Sequence, residues 1–86
     1  MSAFLLEILT PDKPFFKGEV ESLVVKGQQG FLGILARHAP LLARLASGPL
    51  RFKTAEGEQV IAAGAGLLEV TSAGVTILTD SAEPAY

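Results

Sequence analysis

The sequence predicts an all-β fold: a small β-sandwich or flattened barrel of about ten short, mostly antiparallel strands. Three observations carry this. Apolar runs of strand length are cut every ~8–12 residues by Gly, Pro or Ser clusters, the punctuation of sandwiches and barrels. Leu50-Arg51-Phe52-Lys53-Thr54 alternates apolar and polar residues, the period of a half-buried strand. No stretch carries the apolar spacing of an amphipathic helix.

The first segment, Phe4-Leu5-Leu6-Glu7-Ile8-Leu9, has strand length and one charge, and Thr10-Pro11-Asp12-Lys13-Pro14 ends it in a turn. Residues 15–26 read as a strand that changes phase. Phe16, Gly18 and Val20 share a face opposite Lys17, Glu19 and Glu21, but beyond Ser22 the apolar positions are Leu23 and Val25. An extra residue near Glu21-Ser22 therefore predicts a bulge, or a bend where the strand crosses between sheets.

Residues 27–33 read as a glycine loop, Ile34-Leu35 as a brief strand, and residues 36–40 as an irregular link in which Pro40 keeps Ala39 extended. Leu41-Leu42-Ala43-Arg44-Leu45 fits a strand or the start of a helix on pattern alone. Residues 50–54 and 59–63 are strands joined by the turn Ala55-Glu56-Gly57-Glu58. Gly64-Ala65-Gly66 links them to residues 67–71, and Ser72-Ala73-Gly74 turns into Val75-Thr76-Ile77-Leu78-Thr79, the most β-branched segment. Residues 50–63 and 67–79 are expected as consecutive hairpins of a meander.

At 86 residues there is room for one domain, expected over residues 1–80 with 81–86 as a short tail. A domain this small hides only about 60–65% of the surface its unfolded chain exposes, so it leans on partners. The composition is 49% hydrophobic against 19% charged, rich for a small domain, so either the core is dense or some apolar surface is an interface. No window has the ~18 unbroken apolar residues of a membrane span, and Met1-Ser2-Ala3 puts no basic region ahead of an apolar segment. An unexported chain that does not insert in a membrane is expected. The sequence has no cysteine, which excludes disulfides and thiolate metal sites. A net charge of −2 argues against nucleic acid. All seven basic residues lie between Lys13 and Lys53, whereas Glu56, Glu58, Glu69, Asp80 and Glu83 leave the last third acidic. Solvated outward strand positions account for these charges more simply than a charged face does.

The most unusual stretch is residues 25–42. It holds Gly27, Gly30 and Gly33 at a spacing of three and the only histidine, His38, followed by Ala39-Pro40. Glycines so dense describe backbone that turns sharply or takes positive φ. With Gln28, Gln29, Phe31 and Leu32 between them, the loop presents amides and apolar side chains at its tip, which makes it a contact candidate. A phosphate-binding loop is excluded, because no Lys-Ser/Thr follows the glycines and the spacing is not that of a dinucleotide site.

These residues also carry a resemblance. Leu9-Thr10-Pro11, Gly18-Glu19-Val20-Glu21, Gly27-x-x-Gly30-x-x-Gly33-Ile34-Leu35, His38-Ala39-Pro40-Leu41-Leu42, Gly48-x-Leu50-Arg51, Gly66-x-x-Glu69-Val70 and Val75-Thr76-Ile77-Leu78 resemble, in order and spacing, the N-terminal β-sandwich domain of the epsilon subunit of rotary F-type ATP synthases. The resemblance implies a non-catalytic part of the central stalk, peripheral on the cytoplasmic face of the bacterial inner membrane. Such a part binds the gamma subunit and the c-ring and couples proton or sodium translocation to ATP synthesis. It implies Gln28, Gln29, Gly30, Phe31 and Leu32 as the c-ring contact, Thr10, His38 and Ala43 on the gamma-facing side, and Gly27, Gly33 and Pro40 as structural loop positions. No cofactor is implied.

The family is often acidic where this chain has Phe31, so the ring contact is expected to be more apolar or differently paired. Ala36-Arg37 stands where Pro-Gly is common, adding a cation beside the histidine. The family usually continues into a helical hairpin that inhibits hydrolysis and in some members binds ATP. Asp80-Ser81-Ala82-Glu83-Pro84-Ala85-Tyr86 ends where that hairpin would begin, so neither activity nor a nucleotide site is expected of this chain.

Other classes have weaker support. A lipoyl- or biotinyl-type carrier needs a modified lysine at a hairpin tip, and Lys26 has the wrong neighbours in Val25 and Gly27. An oligonucleotide-binding barrel needs stacking aromatics, but Phe52, between Arg51 and Lys53, points inward by alternation. His38 is accompanied by no nucleophile motif, so a hydrogen-bonding role outweighs a catalytic one. Glu19 and Glu21 share a solvent face and serve as a charged edge rather than a carboxylate pair. Without the resemblance, the three glycines also fit a plain hairpin connection.

Overall fold

The computed structural model describes residues 2–85. Ten strands follow one another: β1 (Phe4–Leu9), β2 (Pro14–Val20), β3 (Ser22–Gly27), β4 (Gly30–Leu35), β5 (Leu41–Leu45), β6 (Gly48–Thr54), β7 (Gly57–Ala63), β8 (Gly66–Thr71), β9 (Gly74–Thr79) and β10 (Ala82–Pro84). They hydrogen-bond in the order β10-β7-β6-β3-β5-β8-β9-β1-β2, with β4 also on β3. The β3–β5 connection is a single residue pair, Gly27 with Leu45. The strands therefore form two layers, β4-β3-β6-β7-β10 and β5-β8-β9-β1-β2, hinged at that corner into a nearly closed barrel. Only β1 and β9 pair in parallel. The all-β, mostly antiparallel architecture is the one the sequence predicts.

Each of β1 to β9 sends at least one buried aliphatic or aromatic side chain between the layers, often at every second residue: Leu6 and Ile8, Leu23 and Val25, Leu50 and Phe52, Leu68 and Val70, Val75 and Ile77. Phe52 is the largest of them, and its ring lies 4.5 Å from that of Phe16 at an interplanar angle of 43°, a favourable tilted aromatic pair. The inward direction expected for Phe52 is confirmed.

The phase change near Glu21 is a bend. β2 ends at Val20 and pairs with β1, β3 begins at Ser22 and pairs with β4 and β6, and the Glu21 N–H donates to the Lys53 carbonyl at 2.7 Å. The chain thus passes from one layer to the other without leaving a donor unpaired.

Three hairpins share one turn design. The closing pairs Gly27 with Gly30, Thr54 with Gly57 and Thr71 with Gly74 each enclose a two-residue turn and end on a glycine at φ 133°, 130° or 142°. In the latter two, the threonine hydroxyl accepts from the N–H two residues on and donates to the glycine carbonyl, a side-chain turn that holds the register.

The structure departs from the sequence expectations at three places and decides a fourth that was open. Residues 27–33 are not a loop: only Gln28 and Gln29 are turn, and Gly30 to Leu35 is a strand. The glycine spacing serves the closing pair, where a Cβ on Gly27 would lie 2.9 Å from the Gly30 carbonyl oxygen. Residues 41–45 resolve as strand rather than helix because β8 offers a full ladder. The second half is not a meander. The β6–β7 and β8–β9 hairpins form, but Gly64-Ala65-Gly66 carries the chain to the other layer, and β8 pairs with β5 and β9. Finally, Ala82–Pro84, expected within a tail, pairs with β7; Tyr86 of that tail lies outside the described residues.

Thr79, the one buried polar residue among those described, ties this crossing together. Its hydroxyl lies 3.0 Å from the carbonyls of Gly64 and Ser81 and 3.3 Å from that of Ala65. Thr79→Val keeps the shape and removes the donor, so it is expected to destabilise by about 1–3 kcal/mol. A urea titration should show a lower midpoint with an unchanged slope.

Candidate functional site

In a strand an apolar doublet must expose one member, because successive side chains leave opposite faces. Phe31, Leu35, Leu42, Leu5, Val24, Leu67 and Leu78 are the exposed large hydrophobics, and each adjoins an inward partner: Leu32, Ile34, Leu41, Leu6, Val25, Leu68 and Ile77. The apolar excess in the composition is therefore partly surface. Sequence reasoning missed all of these except Phe31, although the doublets were the available signal.

The candidate site begins at the β3–β4 hairpin. β4 pairs only with β3, and β5 meets β3 only at its last residue. The two edge strands therefore gape around a cleft of about 500 Å³, lined by Gly27, Gln28, Gln29, Gly30, Phe31, Leu32, Leu41, Ala43 and Arg44. Unpaired strand edges are where another chain adds contacts. Gln28, Gln29 and Gly30 are exposed at the tip. Phe31 is 62% exposed, whereas Leu32 packs against the core, so the expected exposure of both is corrected by the alternation of β4. Gly33 faces outward opposite Val24 with open space around it. Phe31 also joins Val24, Pro49 and Arg51 around a hollow of about 240 Å³, extending the apolar surface across this layer.

Of the residues expected to face gamma, Ala43 is half-buried beside the hairpin cleft. His38 is elsewhere, in the exposed β4–β5 link. Its N–H donates to the Leu35 carbonyl at 3.2 Å, and its Nδ1 lies 2.7 Å from the Ala39 carbonyl. A carbonyl only accepts, so this contact is made by the tautomer with its proton on Nδ1. Pro40, next in the link, is exposed. With Phe4, Leu5, Glu19, Leu35, Arg37 and the β8–β9 turn, His38 lines a cleft of about 590 Å³.

Thr10 sits at the far end of β1, where its hydroxyl and N–H both donate to the Lys13 carbonyl. It borders a hollow of about 360 Å³ with Leu9, Leu67 and Leu78, three leucines adjacent across β1, β9 and β8. Phe4 and Leu9 mark the two ends of β1, roughly 17 Å apart at the usual rise per residue. Thr10, His38 and Ala43 therefore form no single cluster.

Lys26, on which a carrier reading depends, lies in β3 rather than at a hairpin tip, and its stem passes over Gly48. Among the described residues, no group of three His, Cys, Asp or Glu is placed to hold a metal ion, and no helix is long and apolar enough to cross a membrane.

The fold defines a class first: a two-layer β-sandwich of ten short strands whose outer faces and open edge carry apolar side chains. A sequence profile for the β-sandwich domain of the ATP synthase delta/epsilon chain matches residues 3–85. The chain belongs to that family. It is 43% identical over 84 residues to the ATP synthase epsilon chain of Ruminiclostridium cellulolyticum, covering 96% of this chain and 62% of that one. It is 45% identical over 75 residues to the epsilon chain of Leptospira borgpetersenii, covering 87% and 59%. The chain thus spans about three-fifths of the length of these curated relatives. In fold it matches a chain of the Euglena gracilis mitochondrial ATP synthase OSCP/F1/c-ring assembly, with a TM-score of 0.90 at 24% identity over 98% of this chain and 54% of that one. A chain of the Tetrahymena thermophila mitochondrial ATP synthase central stalk and c-ring matches with a TM-score of 0.79 at 15% identity, over 96% and 67%.

Two predictions follow from the geometry. Phe31→Glu is expected to leave the thermal midpoint within about 2 °C, whereas Leu32→Asp is expected to cost about 1–3 kcal/mol by burying a polar group against the core. Thermal denaturation of the two variants checks this. Arg37 holds φ at 65°, a left-handed conformation that costs a residue with a Cβ roughly 1–2 kcal/mol relative to glycine. Arg37→Gly is expected to recover about 1 kcal/mol of this, because glycine also loosens the unfolded chain; chemical denaturation measures it.

Proposed function

We propose that this domain is a non-catalytic element of the F-type ATP synthase central stalk. It would grip the gamma subunit and rest on the c-ring, so that ring rotation driven by protons or sodium ions is passed on to ATP synthesis. The observation that carries the reading is the pair of separate exposed apolar surfaces on one small, densely cored body. One runs from the β3–β4 tip over Phe31, Val24 and Pro49; the other is the outer face of the second layer, with Leu42, Leu67 and Leu78. A coupling part needs two docking surfaces and a body stiff enough not to absorb the torque between them, and close packing supplies that stiffness.

In this reading Gln28, Gln29, Gly30 and Phe31 meet the ring, with Leu32 anchoring the hairpin from inside. Gly27 closes the hairpin, while Gly33 and Pro40 shape its flanks. The second layer faces gamma, with Thr10 and His38 at opposite margins and Ala43 at the β5 edge. Family membership supports the synthase assignment, and the bacterial relatives support a peripheral location on the cytoplasmic face of the inner membrane. The whole sandwich, with β10 paired on β7, is the functional unit of the reading.

The test is a pull-down of the tagged chain with purified gamma subunit from the same source, followed by assembly onto detergent-purified c-ring. A one-to-one complex with gamma is expected, and Phe31→Glu should retain gamma while weakening ring attachment at least fivefold. No binding of the wild-type chain to gamma would overturn the assignment.

A further inference from the structure

Arg37 is the only non-glycine residue with positive φ among those described. The turn it occupies is closed by the His38 N–H on the Leu35 carbonyl, a bond that needs no guanidinium. Asn or Asp adopts this conformation more readily, through local side-chain hydrogen bonds, and Gly adopts it freely. Arginine offers the turn nothing of that kind. Its charge is also not used within the domain: the only ion pair among the described residues joins Arg51 and Glu58. A strained backbone position carrying an idle charged group points outward, to something the group meets.

The surroundings specify what that is. Arg37 borders the cleft of about 590 Å³, which the exposed His38 shares and to which Phe4, Leu5, Leu35 and Val75 supply an apolar lining. Glu19 is the only acidic residue on that lining, and it makes no ion pair with Arg37. A small inorganic anion would leave the apolar lining wet. A peptide segment that presents a carboxylate on a hydrocarbon stem fills both parts, and a guanidinium takes a carboxylate in a two-bond fork.

We propose that Arg37 is the docking anchor for an acidic side chain of the gamma subunit, inserted into the cleft between the start of β1, the β4–β5 link and the β8–β9 turn. This rests on the reading of His38 as gamma-facing. The pairing is a specificity determinant, selecting a gamma subunit that carries an acid at the matching position.

The test measures the dissociation constant of the chain for gamma from the same source at 50 mM and 500 mM salt, with wild type, Arg37→Gly, Arg37→Lys and Lys53→Ala. Arg37→Gly should weaken binding at least tenfold at low salt, with the gap narrowing at high salt, while its thermal midpoint stays at or above that of wild type. Arg37→Lys, which keeps the charge without the fork, should recover part of the loss. Lys53→Ala makes the same change in net charge on the other layer and should stay within twofold of wild type. Equal binding by wild type and Arg37→Gly would overturn the proposal while leaving the stalk reading intact. An equal loss in Lys53→Ala would replace an anchor with general charge attraction. Failure of the wild type to bind gamma would overturn both readings.

Discussion

Every part of this molecule answers to one constraint: a strand has two faces, and nine strands each commit one face to a single shared core. In 86 residues there is little apolar area to spare, so the inward positions are filled by large aliphatic side chains around Phe52, with Phe16 laid against it. Burial of alternate residues sets the register of each strand, because a slip of one position would turn its whole inward set to water.

The two layers must also be joined, and each joint is a place where backbone groups threaten to go unpaired. At Glu21 the N–H finds Lys53. At the Gly27–Leu45 corner the Ala46 N–H finds the Lys26 carbonyl. At the Gly64–Gly66 crossing, Thr79 and the backbone of residues 80 and 81 satisfy the link. A Cβ at Gly66 would strike the Leu78 carbonyl, which is why that crossing is made of small residues. Satisfying these groups lets a short chain turn such corners without opening its core.

The same economy produces the surface. Apolar doublets fill inward positions and leave their partners outside, which stocks both outer faces with leucine, valine and phenylalanine without extra sequence. The seam between β4 and β5 stays open, the two layers meeting there only through the Gly27–Leu45 pair of β3 and β5. The body is therefore densely packed between the layers and apolar at its faces and seam, the combination that the proposed stalk role calls on. Arg37 adds a local strain to this arrangement and, in the same residue, the charge that gives the strain a use.

The strand content, the inward direction of Phe52 and the break at Glu21 were legible in the sequence, because period-two alternation and a phase change are local signals. The glycine run was legible as unusual, with a hairpin as one of its alternatives, since Gly27 and Gly30 reveal their closing role only when β3 and β4 lie side by side. The separation of Thr10 from His38 was not legible either. It depends on β1 running between them, and on β8 pairing with β5 and β9 rather than with β7. By itself, then, the sequence determined the period-two alternation of the strands and where most of the turns fall, since both follow from side-chain period and backbone freedom within a few residues. Only the tertiary structure decided which strands are neighbours, which half of each apolar doublet becomes surface, and that Arg37 stands strained at the mouth of a cleft, since these depend on pairings between residues far apart in the chain.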